Sequence, residues 1–279
     1  MSGVRSLVAA IWVGWQRDFG WTNPITGVVL RTIGPIATVL SASIIYWLGA
    51  SAAGVFAGQR LAYIIVGAAL YVHISMYSAV STMAIAEGKW TYVFAHVFIS
   101  PRSSVPYLAG RTIATFATSA ITSLISLTIA YYVASALFNT FAPLIITPVS
   151  ASMLVLALLL NIPATMGLGF LLGAYSIFAS KFEWALPTYV QGILMVFSGA
   201  LFPVTILPWP LSSIGGALPF TQFIAASRAA LIYGDPNAYL LDLSYAVVGG
   251  VLLLGLGLLT YRLAERSGRK KGIIDKKVV

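Results

Sequence analysis

Between Arg111 and Lys181 the chain carries no charged side chain at all. No other feature restricts its fold so tightly. Its apolar runs are long and continuous, not segments of about ten residues with alternating polarity. In hydrocarbon each backbone N–H and C=O must be satisfied internally, and continuous runs of this length do that as helices. Composition agrees: charged residues make up only 8% and the mean hydropathy is +0.93. Soluble domains carry about 25% charged residues. The expected fold is an all-α integral membrane protein, a single transmembrane domain over 1–279.

Six stretches reach or approach the ~20 residues needed to cross the hydrocarbon. They fall at about 28–48, 61–84, 106–136, 149–178, 185–204 and 243–262. The third and fourth are overlong, so tilt or projection from the bilayer is expected. Residues 49–60 and 138–148 read as connecting loops on one side. Ahead of the first span, residues 4–20 read as an interfacial helix. Val4, Val8, Ile11, Trp12, Trp15 and Phe19 recur at helical spacing, with Arg5, Gln16, Arg17 and Asp18 supplying polarity. No small-residue cleavage site follows, so no cleavable leader is expected.

Basic residues set the expected orientation. With the N-terminus inside, Arg5, Arg17, Arg31, Lys89, Arg102, Arg111, Lys181 and the basic tail 263–279 all fall on or near the cytoplasmic side. Arg60 and Arg228 alone fall outside. Both termini and the segment 87–104 are therefore expected in the cytoplasm of a multi-pass cell-membrane protein. The net charge is +9, and its densest basic cluster is that tail, beside membrane lipids, which argues against nucleic acid as a partner.

Residues 201–242 are apolar but broken by Pro203, Pro208, Pro210, Gly215, Gly216 and Pro219. Prolines remove donors and the glycines permit turns, so one helix is excluded and short extracellular re-entrant helices are expected. No internal repeat is evident.

Chemistry is sparse. There is no cysteine, and the seven acids (Asp18, Glu87, Glu183, Asp235, Asp242, Glu265, Asp275) lie at span edges or outside spans. His73 sits inside a span and reads as a helix-packing residue. Two histidines, His73 and His96, build no multi-histidine metal site, and no carboxylates pair at helical spacing for acid–base work. Gly169 and Gly173 form a small-xxx-small pair suited to close helix packing. No phosphate-binding loop is present, so the chain is not expected to hydrolyse ATP. A secondary transporter or channel stays open as the alternative, although a carrier of that kind needs ionisable groups at membrane depth.

The order of these features resembles the type-2 ABC exporter permeases, whose ATPase is a separate subunit. Residues 4–20 are similar to that family's connecting helix. "EGKWTYVFAHVFISPRSSVPYLAGR" (87–111) resembles its segment of glutamate, glycine, short helix, serine-proline and a basic residue at span three. "FSGALFPVTILPWPLSSIGGALPFTQFIAASRAAL" (197–231) resembles its closing signature through Gly199, Pro203, Leu207-Pro208, Pro219, Thr221-Gln222 and Arg228. The family's usual Gly-Thr and second acid after Glu87 are missing here.

The resemblance implies two permease copies, identical or not, each docked by one ATPase that binds ATP and Mg. It implies an ATPase-coupling site at Glu87, Gly88, Lys89, Trp90, Tyr92, Phe94, His96, Pro101 and Arg102, with a helix at about 88–99 seated on the ATPase. Trp90, Tyr92, Phe94 and Phe98 would be its aromatic anchors. The translocation pathway is expected along spans one, two and five, at Ser41, Tyr46, Ser75, Tyr77, Ser78 and Phe197. An extracellular gate is expected at Phe202, Pro203, Leu207, Pro208, Pro219 and Arg228. Arg228 has three readings from its residues alone: closing a gate by pairing with Asp235 or Asp242, capping local carbonyls, or snorkelling to the surface with no role in the gate. The implied cargo is amphipathic: a small molecule, drug, lipid or glycan.

Overall fold

The computed structural model of the chain describes residues 3–19, 23–91, 93–100, 103–138, 143–179 and 185–272. Among the described residues every regular element is helical: α1 (Gly3–Phe19), α2 (Pro24–Ala52), α3 (Gly58–Ser78), α4 (Val80–Trp90), α5 (Val93–Ile99) and α6 (Val105–Phe138), followed by α7 (Pro148–Leu160), α8 (Ile162–Phe178), α9 (Ala185–Phe197), α10 (Leu211–Ala217), α11 (Pro219–Arg228) and α12 (Pro236–Lys271). A 3-10 turn, Val204–Ile206, precedes α10, and a π turn, Ala229–Tyr233, follows α11.

Five helical stretches are long and apolar enough to span a membrane: Ile25–Ala52, Gly58–Trp90, Val105–Leu137, Pro148–Phe178 and Pro236–Lys271. The first four enclose the first four expected spans. Two of them are interrupted. Between α7 and α8 the break falls at Asn161, where Pro163 has no N–H to donate back along the helix. Between α3 and α4 it falls at Ala79, after Ser75 and Ser78 have turned their hydroxyls onto the Val72 and Ser75 carbonyls. Such back-bonding bends helices.

The later elements differ from expectation. The stretch 185–204 is helical only over Ala185–Phe197, about 20 Å at 1.5 Å per residue. Gly199, at φ +67°, then turns the chain. The last span begins at Pro236 rather than 243, so residues 236–242 belong to α12 and not to the broken segment. Asp235 sets that start: its side chain accepts from the N–H groups of Asn237 (2.9 Å) and Ala238 (3.1 Å), with Pro236 in the first turn. Gly272, at φ +59°, closes the helix.

α3 is central and buried around most of its girth, packed on α2, α6 and α11. It runs opposite to α6: Ser123 donates to the Ala69 carbonyl (2.7 Å), and Ser119 Oγ lies 2.9 Å from His73 Nδ1. His73, fully buried, stacks on Tyr77 and meets Phe116 edge-on. It is a packing residue.

Small residues bring the other helices together. α8 and α12 run in the same direction, Gly250 against Ala164 and Gly257 against the Gly167 carbonyl, which leaves no room for a methyl. Gly169 and Gly173 pack on α4, against Ser81 and Ile85. α1 lies along α6, also in the same direction. A methyl at Gly110 would stand 2.5 Å from Ala10 Cβ, and one at Gly14 would stand 2.7 Å from Ala114 Cβ. The opposite face of α1 leaves Val4, Val8, Trp12 and Trp15 exposed. A second, smaller core gathers at the end of the bundle that carries α5, formed by Ile85, Phe94, Phe98, Leu108, Phe170, Ile177 and Tyr261.

Candidate functional site

Two polar constellations stand out, one at each end of the bundle. The first surrounds α5. The expected single helix at 88–99 is two: α4 carries the second span on to Trp90, and α5 folds back beside it. Gly88 permits the fold, since a methyl there would stand 2.6 Å from Phe94 Cβ. Thr91 closes α4 by donating both its N–H (2.8 Å) and its hydroxyl (2.9 Å) to the Glu87 carbonyl.

The chain holds the start of this unit in place through charges. Glu87 pairs with Arg17 of α1 and with Arg111 of α6, the latter at 3.5 Å. Lys89 donates to the Ser176 (2.6 Å) and Ala179 (2.8 Å) carbonyls at the end of α8, where the helix dipole favours a cation. Next to Glu87, buried Asp18 accepts from Arg31 (2.8 Å) and Thr118 (3.2 Å). Burial and the nearby Arg111 charge hold the Arg17 guanidinium below its ordinary pKa.

The end of the unit is clasped by α12. Glu265, buried, accepts from the Ser104 N–H (2.7 Å), the Ser103 hydroxyl (2.8 Å) and Arg269 (2.8 Å). Its carboxylate thus caps the first turn of α6, where the dipole favours negative charge. Ser104 Oγ meets the Tyr261 hydroxyl at 2.6 Å. Arg269 also donates to the Ser100 carbonyl (2.7 Å) and lies over the Phe98 ring. The α4–α5 unit is therefore tied at both ends, to α1, α6 and α8 through Glu87 and Lys89 and to α12 through Ser100, Ser103 and Ser104.

These ties correct the expected anchors. Phe94 and Phe98 are 1% and 3% exposed and belong to the chain's own core, their rings 4.5 Å apart. Glu87, Gly88 and Lys89 likewise face inward. The exposed face comprises Trp90 (63%), Val93, His96 and Ile99 (80%). Tyr92, Pro101 and Arg102 lie outside the described residues. Sequence reasoning missed Arg17, Asp18, Glu265 and Arg269. The Glu265–Arg269 spacing of four residues on a helix was the one available signal.

The second constellation holds the broken segment together. Each break in a helix leaves carbonyls that water cannot reach in an apolar setting. Arg228, buried, donates to the Tyr63 (3.0 Å), Gly199 (2.9 Å) and Ala200 (2.7 Å) carbonyls and lies over the Tyr63 ring. Gly67 makes space for it, since a methyl there would overlap both the guanidinium and the Ala200 carbonyl. Thr221 donates to Phe197 (3.0 Å) and Gly215 (2.6 Å), and Gln222 to Gly216 (2.7 Å). Of the three readings of Arg228, carbonyl capping is the one realised: the side chain is buried rather than at the surface, and Asp235 is occupied in capping α12.

The other expected residues are scattered. Among the pathway set only Ser41 is exposed; Tyr77 and Ser78 are buried, while Tyr46, Ser75 and Phe197 are half-buried. Tyr77 and Ser78 thus sit inside the chain rather than along an open face. The Tyr46 hydroxyl bridges the Ala57 N–H and carbonyl, both at 3.1 Å, and so pins the α2–α3 loop. Gln191 of α9 donates to the Ser75 carbonyl (2.8 Å) and receives the Tyr71 hydroxyl on its own carbonyl. In the gate set Pro203 and Pro208 are exposed, Phe202 and Leu207 half-buried, and Pro219 buried.

A family model described as ABC-2 type transporter matches residues 9–232, from α1 to the π turn. Comparison with curated proteins finds no match.

Proposed function

The chain belongs to the ABC-2 type transporter family, and on that premise we propose that it is the membrane-spanning permease subunit of an ATP-driven exporter. The cargo is an amphipathic molecule: a small molecule, drug, lipid or glycan. Two permease copies form the pathway. A separate ATPase binds ATP and Mg, and its preference for one permease conformation drives transport. The α5 end and both termini face the cytoplasm. α9 and the short helices up to Tyr233 form a sixth crossing with re-entrant turns at the outer side.

One observation carries this reading: the end of α4 and α5 together present Trp90, Val93, His96 and Ile99 outward while the unit they form is fixed to four helices. An exposed aromatic and aliphatic face suits a partner's groove. Rigid attachment suits a lever, because displacement of α5 must move α1, α6, α8 and α12 with it. Ile99 and Val93, rather than the buried Phe94 and Phe98, accompany Trp90 on the face open to a partner.

The test is co-purification with a candidate ABC ATPase subunit co-expressed with the chain. Trp90→Ala combined with Ile99→Ala is expected to abolish assembly while the permease stays folded. Unchanged assembly in that double variant overturns the docking face.

A further inference from the structure

The outer face of α12 holds a feature that the transport reading leaves unused. Leu252, Leu256, Leu259 and Leu263 are all exposed and follow one another at intervals of four, three and four residues, a single continuous stripe. The next position on that stripe is Arg266, with Arg262 one turn before it, both exposed. Here α12 meets the start of α6 in a cleft of about 380 Å³ lined by Ser103, Arg262, Glu265, Arg266 and Arg269.

Three arginines and one glutamate leave this cleft with a net charge of +2. Its carboxylate is spoken for, since Glu265 accepts from Ser103, Ser104 and Arg269. Arg262 and Arg266 make no ion pair among the described residues. Two cations at the end of an apolar stripe match a molecule with an anionic head and a hydrocarbon tail. A second copy of this chain fits poorly: in the same membrane orientation it would bring its own Arg262 and Arg266 to the same depth, and like charges repel.

We propose that this cleft binds an anionic phospholipid, with Arg262 and Arg266 on the headgroup phosphate and an acyl chain along Leu252–Leu263. A zwitterionic headgroup gains less, because its ammonium meets the same two cations. The bound headgroup sits directly against the Glu265–Arg269 clasp that holds Ser100 and Ser104, so its occupancy bears on how firmly α5 is held.

The test needs no ATPase, so its failure is separate from that of the transport reading. The full chain in detergent is given phosphatidylglycerol, phosphatidylcholine or inorganic phosphate, and bound ligand is read by native mass spectrometry. Arg262→Gln with Arg266→Gln is expected to weaken phosphatidylglycerol retention roughly tenfold to thirtyfold, about a factor of five per lost cation near a lipid surface. The double Lys variant, which keeps the charge, is expected to retain most of it. An unchanged thermal midpoint in the Gln variant rules out misfolding as the cause. Equal phosphatidylglycerol retention in the Gln variant overturns the proposal. So does inorganic phosphate binding as tightly as the lipid, which makes the cleft a free-anion site.

Discussion

Replacing Arg228 by alanine tests the account of the broken segment most sharply. The guanidinium serves three carbonyls, those of Tyr63, Gly199 and Ala200, in a site closed to solvent. Alanine leaves all three without that donor. An orphaned buried acceptor costs about 1–3 kcal/mol, partly offset because a buried cation is no longer desolvated. Taking the lower half of that range for each of the three carbonyls gives a loss of roughly 3–6 kcal/mol. At about 2–3 °C per kcal/mol for a chain of this size, the thermal midpoint in detergent should fall by roughly 6–18 °C. Arg228→Lys keeps the charge but lacks the planar fork that reaches both α3 and the turn after α9, so it should recover less than half of the loss. Gly67→Ala perturbs the same pocket from the opposite wall and should lower the midpoint as well. A midpoint within about 2 °C of wild type for Arg228→Ala refutes the reasoning, because the carbonyls would then be satisfied without it.

Other consequences follow from packing and from the clasp. Gly257→Ala should destabilise by about 2 kcal/mol, since its methyl overlaps the Gly167 carbonyl; Gly255→Ala, with open space around it, should be neutral or stabilising by up to about 1 kcal/mol. Paired thermal melts check this, and equal midpoints would count against the α8–α12 contact. Glu265→Gln removes the charge that caps α6 and faces Arg269, a loss of about 2 kcal/mol. Hydrogen exchange over residues 98–106 should quicken several-fold, while exchange in α3 stays as it was. Gly110→Leu forces a side chain into the space of Ala10 and the Leu7 carbonyl. It should free α1 from α6, seen as new protease cleavage within residues 3–19 of the detergent-solubilised protein. An α1 that stays protected shows that the helix is held elsewhere.

By itself the sequence determined the class, the first four spans and the two unusual segments. Those properties are local: hydrocarbon demands a certain length of uncharged helix, and prolines and glycines break helices wherever they stand. The family resemblance was legible for a related reason. Thr221, Gln222 and Arg228 each donate to a carbonyl exposed by a nearby break, and Pro219 opens the first turn of α11. Only the tertiary structure decided which side of α5 faces out. Phe94 and Trp90 look alike as aromatics in a short amphipathic stretch, and their fates separate only once α8 and α12 supply a wall for Phe94. The partners of Glu265 were equally hidden, since Ser104 lies 161 residues away in the chain. Composition and periodicity report how each segment relates to its solvent; the pairing of one segment with another depends on shape, and shape exists only after the helices have packed.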